Sequence, residues 1–210
     1  MIGVNSMITY LNNLLSDCLS GWKLDIVISL IYTIILLSAL IVIGYLINKL
    51  EQVQLKILAK TTGSKIAYFM CNRFTFVGTV IHELSHALFV FLTGGKLIKV
   101  KLLEVSKDGT LGHVEFALCG PKWKQKCQLS IISCAPVFMG LLLEYILIKL
   151  VIGYSLGVWI EILLWYFIIS ILDHMSMSDV DIKNYLKGMI VVFPMMFVFV
   201  LFVQYFFVVH

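Results

Sequence analysis

The segment His82-Glu83-Leu84-Ser85-His86 has the residue types and the spacing of a metal site. Two histidines four residues apart lie on one face of a helix, so both imidazoles can reach one tetrahedral metal ion. Glu83 follows the first histidine, where its carboxylate can take a proton from a metal-activated water without being a ligand. The pattern predicts one zinc ion per chain, held by His82 and His86, with Glu83 as the catalytic base.

A catalytic zinc site uses three protein ligands and leaves the fourth position to water. The best further candidates lie in the polar stretch that precedes the last apolar run. If this stretch is helical, a turn of about 100° per residue places Ser178, Asp181 and Asn184 on one face. Asp181 is therefore the predicted third ligand. Asp179, which points away from that face, and His174, which joins it only in a longer helix, stay open as alternatives.

The remaining acidic and imidazole groups are weaker candidates. His113 and the terminal His210 are expected to be solvated, while Glu144 and Glu161 occur singly in or near apolar runs. Ionisable residues inside an apolar helix cost several kcal/mol if unpaired, so those that do occur there mark functional sites. That cost strengthens the interpretation of His82 and Glu83 as parts of a site.

The composition requires these residues to be positioned by membrane helices. Of 210 residues, 60% are hydrophobic and 13% are charged, whereas soluble domains carry about 25% charged residues. The net charge of +4 comes from Lys and Arg in short stretches between apolar runs, as is usual in membrane proteins, and does not indicate nucleic-acid binding. We expect a multi-pass integral protein of the cell membrane.

The apolar runs predict an α-helical membrane protein with about five transmembrane helices. The whole chain, 1–210, is expected to form a single membrane-embedded domain, beginning with an interfacial segment over 1–22. A solvated, Lys-rich loop is expected over 49–66. The predicted helices are 24–47, 67–93, 128–148, 155–172 and 188–209.

A β-hairpin is predicted over 96–118, directly after the helix with the histidines. Apolar residues there alternate with charged ones, and Lys107-Asp108-Gly109 lies between two such runs. Asp-Gly in that position is a strong hairpin signal. The preceding Gly94-Gly95 is typical of a helix end. This hairpin is the predicted strand-like part of the chain, and two roles stay open for it: an edge near the metal that docks substrate as an added strand, or a surface hairpin that only packs on the interface.

The stretch from Gly78 to Leu88, with Thr93-Gly94-Gly95-Lys96 after it, resembles the site-2 protease family of intramembrane zinc metallopeptidases. The resemblance is specific over about 78–96 and loose in order and spacing over about 97–190. It implies hydrolysis of peptide bonds of membrane-associated substrates. His82 and His86 would be zinc ligands, Glu83 the catalytic base, and a membrane protein or peptide the partner.

Two departures separate this chain from that family. Ser85 stands where the family often has Gly, and the family's Leu-Asp-Gly ligand motif is absent. The stretch that contains Asp181 occupies the corresponding part of the chain. The alternative function is a non-proteolytic family member that binds and regulates membrane partners, and a third is a metal-dependent enzyme acting on lipid.

Overall fold

The computed structural model describes residues 21–105 and 111–207. The predicted hairpin turn at Lys107-Asp108-Gly109, most of the predicted interfacial segment 1–22, and His210 lie outside the described residues.

The described chain is mostly helical and contains one small antiparallel sheet. A π-helical segment, Phe69–Phe74, separates the second helix from the third. The helices are α1 (Trp22–Thr62), α2 (Ser64–Tyr68), α3 (Phe76–Leu92), α4 (Lys122–Gly153), α5 (Val158–Leu172) and α6 (Asp179–Phe207), and the strands are β1 (Lys96–Val105) and β2 (Leu111–Ala117).

Among the described residues, three helices are long and apolar enough to cross a membrane: α1, α4 and α6. A fourth span results if α2 and α3, bent by 45°, are one broken crossing. The prediction of about five spans was therefore too high. Helix α5 has only 15 residues, about 22 Å at 1.5 Å per residue, which is less than the roughly 30 Å of a hydrocarbon core.

Large apolar side chains remain exposed along the candidate spans, for example Leu46 on α1, Leu142 on α4 and Phe199 on α6. Extended apolar surface of this kind is rare on a soluble monomer. Lipid is the solvent that makes such surface favourable, because a bilayer core is itself apolar.

The predicted solvated loop over 49–66 is wrong, because α1 continues to Thr62. The segment after Lys49 is rich in Leu, Lys and Gln, which are good helix formers, and it contains neither Gly nor Pro before Gly63. Gly63 then has a φ of 86° and interrupts the helix. The charged residues after Lys49 therefore did not mark the end of this helix.

Two other helices begin earlier than predicted. Helix α4 begins at Lys122, after Pro121, and continues through Pro136 to Gly153. Helix α6 begins at Asp179, so it includes polar residues that were assigned to a connecting segment. Hydropathy marks where a helix enters lipid, whereas the helix itself extends into the polar flanks.

The predicted continuous helix over 67–93 is interrupted by the π-helical segment and a bend before α3. Such a break frees backbone groups, which must find partners in an apolar environment. Helix α5 supplies them. The Tyr166 hydroxyl donates to the Phe74 carbonyl over 2.8 Å, and the Ser170 hydroxyl donates to the Thr75 carbonyl over 2.7 Å. The Gly78 N–H donates to Ser170 Oγ over 2.8 Å.

The chain divides into two compact units. One comprises Met1–Ala39 and Ile190–His210, where the buried Ser29 hydroxyl donates to the Gln204 side-chain oxygen over 2.7 Å. The other comprises Leu40–Met189.

Within the unit Leu40–Met189, α3 packs against α4, α5 and both strands. Two buried clusters form the core there, one around Ile171 and Met175 and the other around Met177 and Tyr185. Helix α3 is therefore surrounded on several sides by elements that can hold its side chains in place.

The predicted hairpin over 96–118 is confirmed as an antiparallel pair of β1 and β2. Lys96 pairs with Ala117 at the open end, and Lys101 pairs with His113. The register shifts once after Leu97 and again after Lys101. Bulges of this kind bend a strand and re-aim its side chains.

Gly78 sets the distance between α3 and α5. A Cβ at this position would lie 1.8 Å from the Ser170 carbonyl oxygen, so Gly78→Ala must push the helices apart. We expect a loss of stability of about 1–3 kcal/mol or more, as for an overpacked core, seen as a lower thermal unfolding midpoint in detergent. Gly153→Ala is the matched control, since nothing lies within 4 Å of its added Cβ. Equal midpoints for both variants would contradict this packing.

Candidate metal centre

Three predicted ligands come together within the unit Leu40–Met189. One ligand atom each from His82, His86 and Asp181 lies within 4.8 Å of the other two. The two histidine Nε2 atoms are 3.2 Å apart, and His86 Nε2 is 3.7 Å from Asp181 Oδ2. The histidines come from α3 and the aspartate from the first turn of α6, so residues about a hundred positions apart form one donor set.

Backbone carbonyls orient both imidazole rings. His82 Nδ1 is 2.6 Å from the His174 carbonyl oxygen, and His86 Nδ1 is 2.9 Å from the Ile132 carbonyl oxygen. A carbonyl only accepts hydrogen bonds, so each Nδ1 must be the protonated, donating nitrogen. Each Nε2 then carries the lone pair that a metal ion needs, and this hydrogen bond to Nδ1 is the usual outer support of a histidine ligand. The donor set fits a divalent zinc ion.

The Asp181 carboxylate is fixed by the start of its own helix. The Ser178 hydroxyl donates to Asp181 Oδ2 over 2.6 Å, and the Ser178 N–H donates to the same oxygen over 3.2 Å. The Asp181 N–H donates in return to Ser178 Oγ over 3.1 Å. This reciprocal pair is a capping box, which satisfies N–H groups at a helix start. The cap also holds the carboxylate in its position beside His86.

The two alternative third ligands lie outside this donor set. Asp179 is exposed. The His174 ring is held 3.1 Å from the Ser170 carbonyl oxygen, and it is the His174 backbone that contacts His82. Burial lowers the pKa of His174, which favours a neutral ring that can donate to that carbonyl. His174 therefore positions a ligand through its main chain.

The donor set opens into a cavity of about 580 Å³. Glu83 lies on the cavity wall with only 8% of its surface exposed. Polar side chains on the wall beyond the donor set include Asn48, Glu51, Thr79, Asp173, Ser176 and Asn184.

Asp173 illustrates the low polarity of this part of the protein. Burial raises the pKa of its carboxyl group to about 6, although a 3.2 Å hydrogen bond from the Gln54 amide opposes the shift. A carboxyl that stays protonated to higher pH than usual can donate as well as accept hydrogen bonds. The cavity wall therefore contains a buried carboxyl group, that of Asp173, which can donate a hydrogen bond while it is protonated.

The four predicted site residues lie close together in the structure. His82, Glu83, His86 and Asp181 line one cavity. Sequence reasoning missed Asn48 and Glu51, because it placed Glu51 in a loop. Their spacing of three residues would have put them on one face if α1 had been predicted to continue.

Two further features were also missed. His113, expected to be solvated, lines the same cavity. The break before α3 was also not predicted. The residues that satisfy its backbone groups, Ser170 and Tyr166, lie on α5, so the sequence around the break contains no sign of them.

Comparison of this chain with protein-family models, with curated proteins and with solved structures finds no match.

The two neighbouring carboxylates Asp181 and Asp179 allow a matched test of the donor set. Asp181→Ala removes a donor atom and is expected to weaken zinc binding at least 10-fold to 100-fold, the range found for disturbing even the outer support of a metal ligand. Asp179→Ala should change the affinity less than 3-fold, because Asp179 is exposed. Titration of purified protein with zinc against a competing chelator measures both. Equal losses would mean that Asp181 is not a ligand.

Proposed function

We propose that this protein is an intramembrane zinc metalloprotease of the cell membrane that hydrolyses peptide bonds of membrane-associated substrates. In this proposal His82, His86 and Asp181 hold the zinc ion. The observation that carries it is the convergence of two oriented imidazole Nε2 atoms and one capped carboxylate beside Glu83. The resemblance of residues 78–96 to site-2 proteases supports the same chemistry.

Zinc in such a site lowers the pKa of water and polarises a carbonyl group. Glu83 lies on the same helix as both histidines and on the wall of the same cavity. Its carboxylate takes the proton of the attacking water and passes it to the leaving amine. In this proposal Glu83 serves as the base because it follows His82 in the sequence and lines the cavity into which the donor set opens.

The cavity lets water reach a site that is otherwise enclosed by apolar helices. Asn48 and Glu51 on α1 and Ser176 before α6 bring polar atoms to its wall. Polar residues at membrane depth are tolerated where they face a water-filled space. Hydrolysis in a membrane requires such a space, because water is a reactant.

A membrane substrate must present its peptide bonds in an extended form, since a helix hides them in its own hydrogen bonds. The edge of β2 can receive such a segment by strand addition. In the two-stranded sheet, β2 has one neighbour, and its residues Gly112, Val114 and Phe116 line the cavity. The substrate would therefore lie along β2 with its scissile bond close to Glu83.

The substitution Glu83→Gln separates catalysis from metal binding. Removing a general base is expected to lower turnover about 10²-fold to 10⁴-fold, while zinc content stays at the wild-type level because Glu83 is not a ligand. Protein reconstituted in liposomes with a pool of single-pass transmembrane segments is assayed by mass spectrometry for new peptide ends, and zinc is measured by elemental analysis.

Glu161→Gln, which changes a carboxylate outside the cavity lining, is the control. Zinc loss together with activity loss would make Glu83 a ligand. A wild-type protein that binds zinc but yields no new peptide ends would favour the non-proteolytic alternative, and altered lipids in the same liposomes would favour an enzyme acting on lipid.

Proline substitutions test the strand edge. Proline removes one backbone N–H at a time, so single replacements at positions 114–116, which leave Gly112 and His113 in place, should include at least one that lowers cleavage about 10-fold or more with zinc content unchanged. Leu103→Pro is the control, because Leu103 is exposed and lies in the bulge of β1. If every folded, zinc-containing variant cleaves at the wild-type rate, β2 is not the docking edge.

A further inference from the structure

His113 occupies an unusual position on β2. The residue lines the same cavity as the donor set and Glu83. Its neighbour Gly112 has a φ of 77°, and a Cβ there would lie 3.0 Å from Glu83 Cγ. The backbone of β2 therefore passes in contact with the proposed base, and His113 is one residue away from that contact.

An irregularity in the sheet accounts for the close approach of Gly112 to Glu83. The sheet register shifts between the Lys101–His113 pair and the Val105–Leu111 pair, so Gly112 lies where the strands are irregular. A Cβ on Gly112 would also approach the Leu102 and Lys101 carbonyl oxygens to 2.9 and 3.1 Å. Bulges next to active sites commonly re-aim a side chain, and here the residue after the irregularity is the only titratable one of β2 that lines the cavity.

The hydrogen bonds of the His113 ring are incomplete. Its Nε2 lies 3.2 Å from Glu115 Oε1, on a side of the ring that is partly exposed. Its Nδ1 is buried and has no hydrogen-bond partner among the described residues. A buried polar atom without a partner costs free energy, and such an atom beside a cavity is explained if a ligand completes its bonding.

We propose that His113 donates its Nδ1–H to the substrate oxygen that becomes negatively charged during hydrolysis. This inference rests on the proposed protease function. Protonated imidazole donates from both nitrogens, so Nε2–H bonds to the Glu115 carboxylate while Nδ1–H is available to substrate. Glu115 acts as a positioning residue, because its carboxylate orients the ring.

In the proposed hydrolysis, water is the nucleophile and Glu83 carries the proton that is transferred. Water adds to the peptide carbonyl carbon, the carbonyl electron pair moves to oxygen, and the water proton goes to Glu83. The oxygen then re-forms the double bond, the C–N bond breaks, and the amine takes the proton from Glu83. His113 keeps its proton throughout and stabilises the negative charge on oxygen, which develops in the transition state and is complete in the tetrahedral intermediate.

The test compares His113→Ala, His113→Gln and Glu115→Gln with the wild-type protein in the liposome assay. Loss of one such donor is expected to lower kcat about 10²-fold to 10³-fold with KM changed less than 3-fold. His113→Gln should recover part of the activity, since its amide also donates. Glu115→Gln should lose about 10-fold, the size of one weakened hydrogen bond. Glu104→Gln, an exposed carboxylate on β1, is the matched control for Glu115.

A binding measurement gives a readout besides activity. The probe is N-phosphoryl-Leu-Trp, whose tetrahedral phosphoryl group resembles the charged intermediate, and calorimetry with zinc-loaded protein in detergent measures its affinity. His113→Ala should bind it about 100-fold more weakly, in keeping with a lost transition-state donor, while the zinc content of the protein stays unchanged.

The outcomes separate this inference from the proposed function. Wild-type cleavage that depends on Glu83, with undiminished kcat and probe affinity in His113→Ala, overturns the role of His113 alone. Equal losses in kcat, probe affinity and zinc content would also overturn it, since they mean a structural role for His113. Absence of Glu83-dependent cleavage from the wild-type protein overturns the proposed function and this inference together.

Discussion

Polar groups inside an apolar bundle must find partners within the protein, and this constraint governs the architecture around α3. The helix begins after a π-helical segment that leaves backbone groups without helical partners. Ser170 and Tyr166 of α5 satisfy those groups. Without these hydrogen bonds, a broken helix in lipid would expose unpaired amides and carbonyls at several kcal/mol each.

The same contact between α3 and α5 also orients the site. Because Gly78 lets the helices approach closely, the segment after α5 reaches His82, and the His174 carbonyl accepts the His82 Nδ1 proton. Ser170, which helps to satisfy the helix break, and the His174 carbonyl, which fixes a histidine tautomer, are thus four residues apart in the sequence. Stability of the fold and orientation of the donor atoms depend on one interface.

The hairpin adds a second constraint, because residues of β2 also line the cavity. The Gly112 backbone lies against Glu83, so the sheet restricts where that carboxylate can point. Precise placement matters for a base, because a proton is transferred only across a short distance. Helices supply the candidate metal ligands in this arrangement, and the strand supplies the surface beside the proposed base and the contacts proposed for substrate.

Much of this arrangement could be predicted from the sequence. The spacing of His82 and His86 depends only on helical geometry, and the chemistry of Glu83 follows from its neighbours. The helical phase around Asp181 was also a local property, although α6 begins at Asp179 and not at the predicted residue 188. The β-hairpin was predicted correctly because its apolar and charged residues alternate.

Predictions that relied on hydropathy alone were poorer. Charged residues after Lys49 suggested a loop, although the local helix propensity carries α1 to Thr62. The number of spans was overestimated, because apolar composition does not reveal that α5 is short or that the helix before Glu83 is broken. Helix ends depend on hydrogen bonds and turns, which average hydropathy does not record.

The sequence by itself determined the positions of the two histidines and of the proposed base on one helix, because these follow from the geometry of that helix. Only the tertiary structure decided that Asp181 joins the histidines, that the His174 and Ile132 carbonyls orient the rings, and that His113 faces the same cavity as Glu83. Those relations connect residues far apart in the chain, so they depend on how helices and strands pack, and no local pattern encodes them.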